Sequence, residues 1–335
     1  MKKILIYIFI AIVIGGIIFQ SCPSLQDNSG SAVVKDPEKK VLQIPAFNRD
    51  SAFSFVDAQV AFGPRVTNSE GHRKCKAWLV DKFKSYGAVV VEQEFKATQY
   101  TGKVLNGVNI IASFNPTAPK RVIFAAHWDS RHIADQDEKD KDKPILGADD
   151  GASGVGILVE LARQLKEKPT EMGIDLILFD AEDLGKDDVQ TMEDMKTWCL
   201  GSQHWAANPH VPGYRAKYGV LLDMVGATGA RFTKDKISMQ YAGEYMDKIW
   251  RMASNQGFGA YFVSDLSGEM TDDHYFVNTI AGIPMLDIIN RPTDGGFVKH
   301  WHTHNDNIQA IDKETIRVVG QLLLHVIYNE NEGQL

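Results

Sequence analysis

A series of short apolar runs, each followed by acids or histidine, constrains the fold more than any other feature of this chain. Residues 121–126 lead into His127 and Asp129. Ile174–Phe179 leads into Asp180, Glu182 and Asp183, and Val220–Leu222 ends at Asp223. Met285–Ile289 is a further run, with Asp287 inside it. Strands buried on both faces read as continuous apolar runs of this kind. Between them, helical spacing covers Ala152–Lys168, Thr197–Ala207, Met239–Gln256 and Asp272–Thr279, and Ile311–Tyr328 closes the chain. Earlier, Ser69–Tyr86 reads as a helix stopped by Gly87, and Val89–Phe95 with Val104–Phe114 as a hairpin. The pattern predicts a single three-layer α/β/α domain around a central mixed, mostly parallel sheet.

In such a sheet the carboxyl ends of the strands share one edge, and ligands bind there. His127, Asp129, Glu182, Asp183 and Asp223 therefore converge, joined by Asp149 and Asp150 just before Gly151. Carboxylates gathered this closely repel one another, and a bound cation relieves the repulsion. No Cys cluster or CxxC occurs, so His and carboxylates must hold the metal, a donor mixture that suits zinc. A further histidine is expected from Trp301–Asn307, with His302 preferred. Alternation in an extended segment would put His304 on the same side. Asp135–Lys143, rich in alternating charge, reads as a solvated loop.

The ends of the chain carry other information. Lys2 and Lys3 precede an apolar run from Ile4 to Phe19, then Ser21 and Cys22. This reads as an export leader over residues 1–22, with Cys22 as a lipoprotein-type attachment point or the leader itself as a membrane anchor. Residues 23–46 read as a polar tether and 47–335 as the catalytic domain. The expected location is the periplasm or cell envelope. The formal net charge of −7 gives no electrostatic reason to bind nucleic acid. Cys75 and Cys199 form a disulfide or stay free, and no feature addresses oligomeric state.

Taken together, His127-x-Asp129, Gly147-Ala-Asp-Asp150-Gly-Ala-Ser-Gly154, Phe179-Asp-Ala-Glu182-Asp183, Leu222-Asp223 and His302 resemble the zinc-dependent aminopeptidase superfamily. Within it the chain looks most like the glutaminyl cyclases of bacteria and animals. Trp301-His302-Thr303, Asp272-Asp273-His274, Leu200-Gly201-Ser202-Gln203-His204 and Leu222-Asp223-Met224-Val225-Gly226-Ala227 carry that likeness. Animal members have Glu where this chain has Asp183 and a disulfide that this chain lacks.

The resemblance implies a single zinc on Asp150, Asp183 and His302. It implies a proton shuttle at Glu182, supported through hydrogen bonding by Asp273, which would either share a proton with Asp223 or steer the substrate amine. Trp301 would line the substrate pocket. The substrates implied are peptides or proteins with N-terminal glutamine, closed to pyroglutamyl with release of ammonia. His127 and Asp223 match second-metal ligands of two-zinc aminopeptidases, and Asp129 could orient His127 from behind. A two-zinc aminopeptidase is therefore the rival reading.

Overall fold

The computed structural model describes residues 42–291 and 296–335. The leader and most of the tether lie outside the described residues. The folded chain opens with two capped helices. Asn48 accepts from the backbone N–H groups of Asp50 and Ser51 at the start of α1 (Arg49–Val60). Ser69 accepts from that of His72 at the start of α2 (Glu70–Ser85). The hairpin follows as β1 (Val89–Thr98) and β2 (Val104–Phe114), paired antiparallel. Next come β3 (Arg121–His127), α3 (Ala152–Glu167), β4 (Gly173–Phe179), α4 (Met192–Met195), α5 (Leu200–Ala207) and β5 (Gly219–Asp223). A small parallel pair, β6 (Phe232–Lys234) and β7 (Phe262–Leu266), brackets α6 (Lys236–Asn255). The chain ends with α7 (Asp273–Phe276), β8 (Met285–Ile289) and α8 (Lys313–Asn331).

The main sheet has the order β1-β2-β4-β3-β5-β8. Its first two pairings are antiparallel and the rest parallel, so the sheet is mixed and mostly parallel as expected, with the β1–β2 hairpin in place. Every residue of β3 and β4 is buried, so both faces of the sheet are covered. Phe124, Leu176, Val220 and Leu286 point to one face, against Val56 of α1, Leu158 of α3, Ile249 of α6 and Leu323 of α8. Their neighbours Ile123, Ile177, Leu221 and Met285 point to the other, against Trp205 of α5 and Val277. This is the period-two alternation of a strand. Full burial of each such side chain contributes about 1.5–3 kcal/mol.

Two expected helices begin or end differently. Thr197–Ala207 becomes helical only at Leu200, because Cys199 is left-handed at φ 55°. The helix expected over Asp272–Thr279 is a short α7 that passes into a π turn at Val277–Ala281. The parallel register aligns His127 with Phe179 and Asp223 with Ile289. The strand ends are therefore level, and their polar successors emerge on one edge. Glycines bring α3 down onto that edge. A Cβ on Gly151 would sit 2.4 Å from the His127 carbonyl oxygen, and one on Gly154 would sit 2.6 Å from that of Leu222.

Candidate metal centre and active site

His127 closes β3 and Asp223 closes β5. Asp150 precedes the glycine that starts α3, Glu182 and Asp183 follow β4, and His302 arrives from a late turn. The ligand atoms of Asp150, Asp183 and His302 all lie within 4.8 Å of one another. His302 Nε2 is 3.2 Å from Asp183 Oδ1 and 3.7 Å from Asp150 Oδ2. All three residues are buried, and among the described residues neither Asp183 carboxylate oxygen has a hydrogen-bond partner. A buried carboxylate that no hydrogen-bond donor satisfies is costly. A divalent cation among these donors removes that cost, and two carboxylates with one imidazole, leaving a coordination position open, suit zinc.

His127, Asp150 and Asp223 form an adjoining group that shares Asp150. His127 Nε2 lies 2.9 Å from Asp150 Oδ1 and 3.3 Å from Asp223 Oδ1, close contacts whose angles fall short of a hydrogen bond. Its Nδ1 is 3.5 Å from Asp129 Oδ1. Asp129 also accepts the backbone N–H groups of Glu182 and Asp183, at 3.1 and 3.2 Å. One carboxylate thus backs the imidazole and fixes the loop that carries both acids.

The electrostatics show how crowded the edge is. Burial pushes Asp183 up to about 6, helped by Asp150. Burial pushes Asp223 up to about 8, with Asp150 and Asp272 adding to it against the opposing pull of His127. Burial likewise holds Glu182 well above the usual carboxylate range. For His127, burial alone would favour the neutral ring, but Asp129, Asp150 and Asp223 outweigh it and favour the cation. Protons on imidazole occupy the place a metal charge would take.

Ala181, Cys199, Met224 and His302 are left-handed, with φ of 55°, 55°, 48° and 54°. Each such residue costs about 1 kcal/mol or more. Ala181, Met224 and His302 stand at or next to a polar residue of this edge, and Cys199 contacts Glu182, so strain is concentrated where side chains must be aimed.

A cavity of about 290 Å³ opens over the edge, lined by Asp150, Glu182, Asp183 and His302 among others. Aromatic rings form one wall. Phe297 stacks on Trp301 at 3.9 Å, and Trp301 on His302 at 3.6 Å. Trp198 lies parallel to His302 at 6.0 Å.

The sequence model of peptidase family M28 matches residues 109–327, from within β2 to within α8. The chain belongs to peptidase family M28. Several solved structures share its architecture closely. A glutaminyl cyclase from Tannerella forsythia is 49% identical, with a TM-score of 0.82 over 85% of this chain and 99% of its own. A Zn-dependent exopeptidase from Parabacteroides distasonis is 46% identical, with a TM-score of 0.83 over the same shares. The glutaminyl-peptide cyclotransferase of Bothrops jararaca is 27% identical over 71% of this chain and 69% of its own length. The resemblance carried by the motifs is borne out.

In this M28 chain several residues sit in places the motifs did not specify. Asp273 is fully buried and absent from the cavity lining, and neither of its oxygens makes a well-formed hydrogen bond. The residue in the cavity wall is Asp272, grouped with Glu182 and Cys199. Asp272 also caps α7 through the Asp273 N–H. His304 does not share a side with His302, because the segment turns at His302 instead of extending, and His304 is exposed. Asp135 is not part of a solvated loop. Its side chain is 8% exposed, and its Oδ1 lies 3.1 Å from His302 Nδ1. Cys75 and Cys199 are both free.

Arg131 was missed altogether. It is fully buried, donates to the carbonyls of Asp183 and Gly185, and lies over the Trp198 ring. Its Nε also donates to Asp135 at 2.9 Å. Trp301 is among the residues that line the cavity.

Proposed function

We propose that this chain is a zinc-dependent glutaminyl-peptide cyclotransferase, closing N-terminal glutaminyl residues to pyroglutamyl with release of ammonia. The observation that carries the reading is Glu182 in the wall of an aromatic-sided cavity, directly beside the Asp150, Asp183 and His302 donor set. The names of the relatives support the same activity.

One zinc ion on Asp150, Asp183 and His302 would supply Lewis-acid polarisation of the side-chain amide carbonyl. The chain's own residues do the rest. Trp301 and Phe297 present flat apolar surface to the glutaminyl side chain and exclude water. The substrate's α-amine attacks its own side-chain carbonyl carbon, a five-membered closure favoured by proximity. Glu182 takes a proton from that amine and delivers one to the departing nitrogen as the amide C–N bond breaks. Asp272, beside Glu182, tunes how readily Glu182 holds a proton.

We further propose export through residues 1–22, with anchoring at Cys22 or by the leader itself. Among the described residues no helix is long and apolar enough to cross a membrane.

A two-zinc aminopeptidase is the second reading, favoured by the adjoining His127, Asp150 and Asp223 group. The deciding assay incubates purified protein with Gln-initiated dipeptides and measures ammonia and pyroglutamyl product. Release of first residues regardless of identity, with two zinc ions by elemental analysis, would replace the cyclase reading.

A further inference from the structure

Glu182 is the group asked to move protons, yet its carboxylate has little to hold it. Among the described residues its one hydrogen-bond donor is the Cys199 thiol, with Sγ 3.3 Å from Oε1. Oε2 accepts no hydrogen bond, and its nearest cationic group is His127 Nδ1 at 3.9 Å. The thiol is completely buried. We propose that Cys199 is a positioning residue for the cyclase reaction: its thiol holds Oε1 so that Oε2 faces the substrate amine. This rests on the cyclase reading above.

The surrounding backbone is built to aim that sulfur. Cys199 N–H donates to the Glu182 carbonyl at 2.9 Å, and Leu200 N–H donates to that of Ala181 at 3.0 Å. The two bonds clamp the start of α5 to the loop after β4. Ala181 and Cys199, one on each side of the clamp, are both left-handed at φ 55°. No glycine relieves the strain at either position, although glycine is the residue that tolerates this conformation best. At Cys199 a side chain is retained despite that cost, and it is the side chain that reaches Glu182. The carbonyl of Cys199 is held in turn by the Ser202 hydroxyl at 3.1 Å.

The chemistry of a thiol suits the task. Burial and the nearby Glu182, Asp273 and Asp272 carboxylates hold Cys199 well above the usual thiol range, so it stays protonated and can donate. A thiol is a weak donor. It restrains the carboxylate's rotamer without drawing off basicity as an ammonium would.

The test compares Cys199→Ala, which removes the donor, with Cys199→Ser, which keeps one. For the Ala variant kcat on a Gln-initiated dipeptide should fall about tenfold, the rate equivalent of one charge-assisted hydrogen bond. KM and zinc content should stay at wild-type values, and the Ser variant should recover most of the lost kcat. Should the Ala protein fail to fold, Cys199→Gly makes the same deletion with a residue suited to φ 55°. Wild-type kcat in the donor-less protein, equal losses in Ala and Ser, or a drop in zinc content would each overturn the positioning role. If wild-type protein releases no ammonia from Gln peptides, the cyclase reading fails instead, so the two failures are distinguishable.

Discussion

Asp135 Oδ1 lies 3.1 Å from Nδ1 of His302, a contact that joins residues 167 positions apart. It leaves Nε2 of the same ring directed at Asp150 and Asp183. Burial pushes the Asp135 carboxyl up, but His302 and Arg131 overcome it and hold it well below the usual carboxylate range. A carboxylate behind a metal-binding imidazole fixes its tautomer and raises its basicity. Asp135→Asn should therefore weaken zinc binding about 10–100-fold, read by competition with a chelator. Unchanged zinc affinity would remove Asp135 from the centre.

Glu182 faces the cavity but is absent from the Asp150, Asp183 and His302 donor set. Glu182→Gln keeps shape and removes the proton carrier. It should keep wild-type zinc content by elemental analysis while kcat falls by about a hundredfold or more, the range for a general acid–base group. Full turnover in this variant would rule out the shuttle.

Asp272 and Asp273 make a matched pair for separating function from packing. Asp272 is in the cavity wall, whereas Asp273 is sealed behind it. Burial and Asp272 hold Asp273 well above the usual range, which favours its neutral acid. Asn is close in shape to that neutral acid. Asp273→Asn should change kcat by less than about threefold, because it leaves no charge or cavity behind. Asp272→Asn should lower kcat by about a hundredfold. Steady-state kinetics on both variants decides it, and the reverse ranking would restore Asp273 to the role the motif suggested.

What was legible in the sequence follows the range of the physics. The apolar runs reported the sheet because burial on both faces is written directly into consecutive residues, as in β3 and β4. The acids after them reported the edge because parallel strands end together. Asp135 was illegible because its neighbours are charged and exposed, and only His302 and Arg131 distinguish it. Asp272 and Asp273 were interchangeable for a similar reason. A shift of one residue at a helix start turns the side chain by about 100°, and only the docking of α7 decides which acid meets the cavity. The left-handed turn at His302 likewise depends on tertiary contacts, so extended alternation wrongly paired it with His304.

The same crowding predicts how the metal-free protein responds to pH. Asp183 and Asp223 are raised from 3.8 to about 6 and about 8. His302 is raised from 6.5 to about 9 by Asp183, Asp135 and Asp150, against burial. For each group the folded chain binds its proton more tightly than the unfolded chain does. The stabilisation is complete below the unfolded values and is lost as pH rises through the folded ones. Metal-free protein should therefore lose thermal stability steadily between about pH 5 and pH 9. Zinc requires deprotonated ligands, so it binds better as those protons leave, and its binding adds to stability by mass action. The rise in Tm on adding excess zinc to chelator-treated protein should be larger at pH 8 than at pH 5, by several degrees. Differential scanning fluorimetry at matched ionic strength measures both curves. A zinc-induced rise that is equal at the two pH values, or larger at pH 5, would mean that these carboxylates and imidazoles do not exchange protons for the metal.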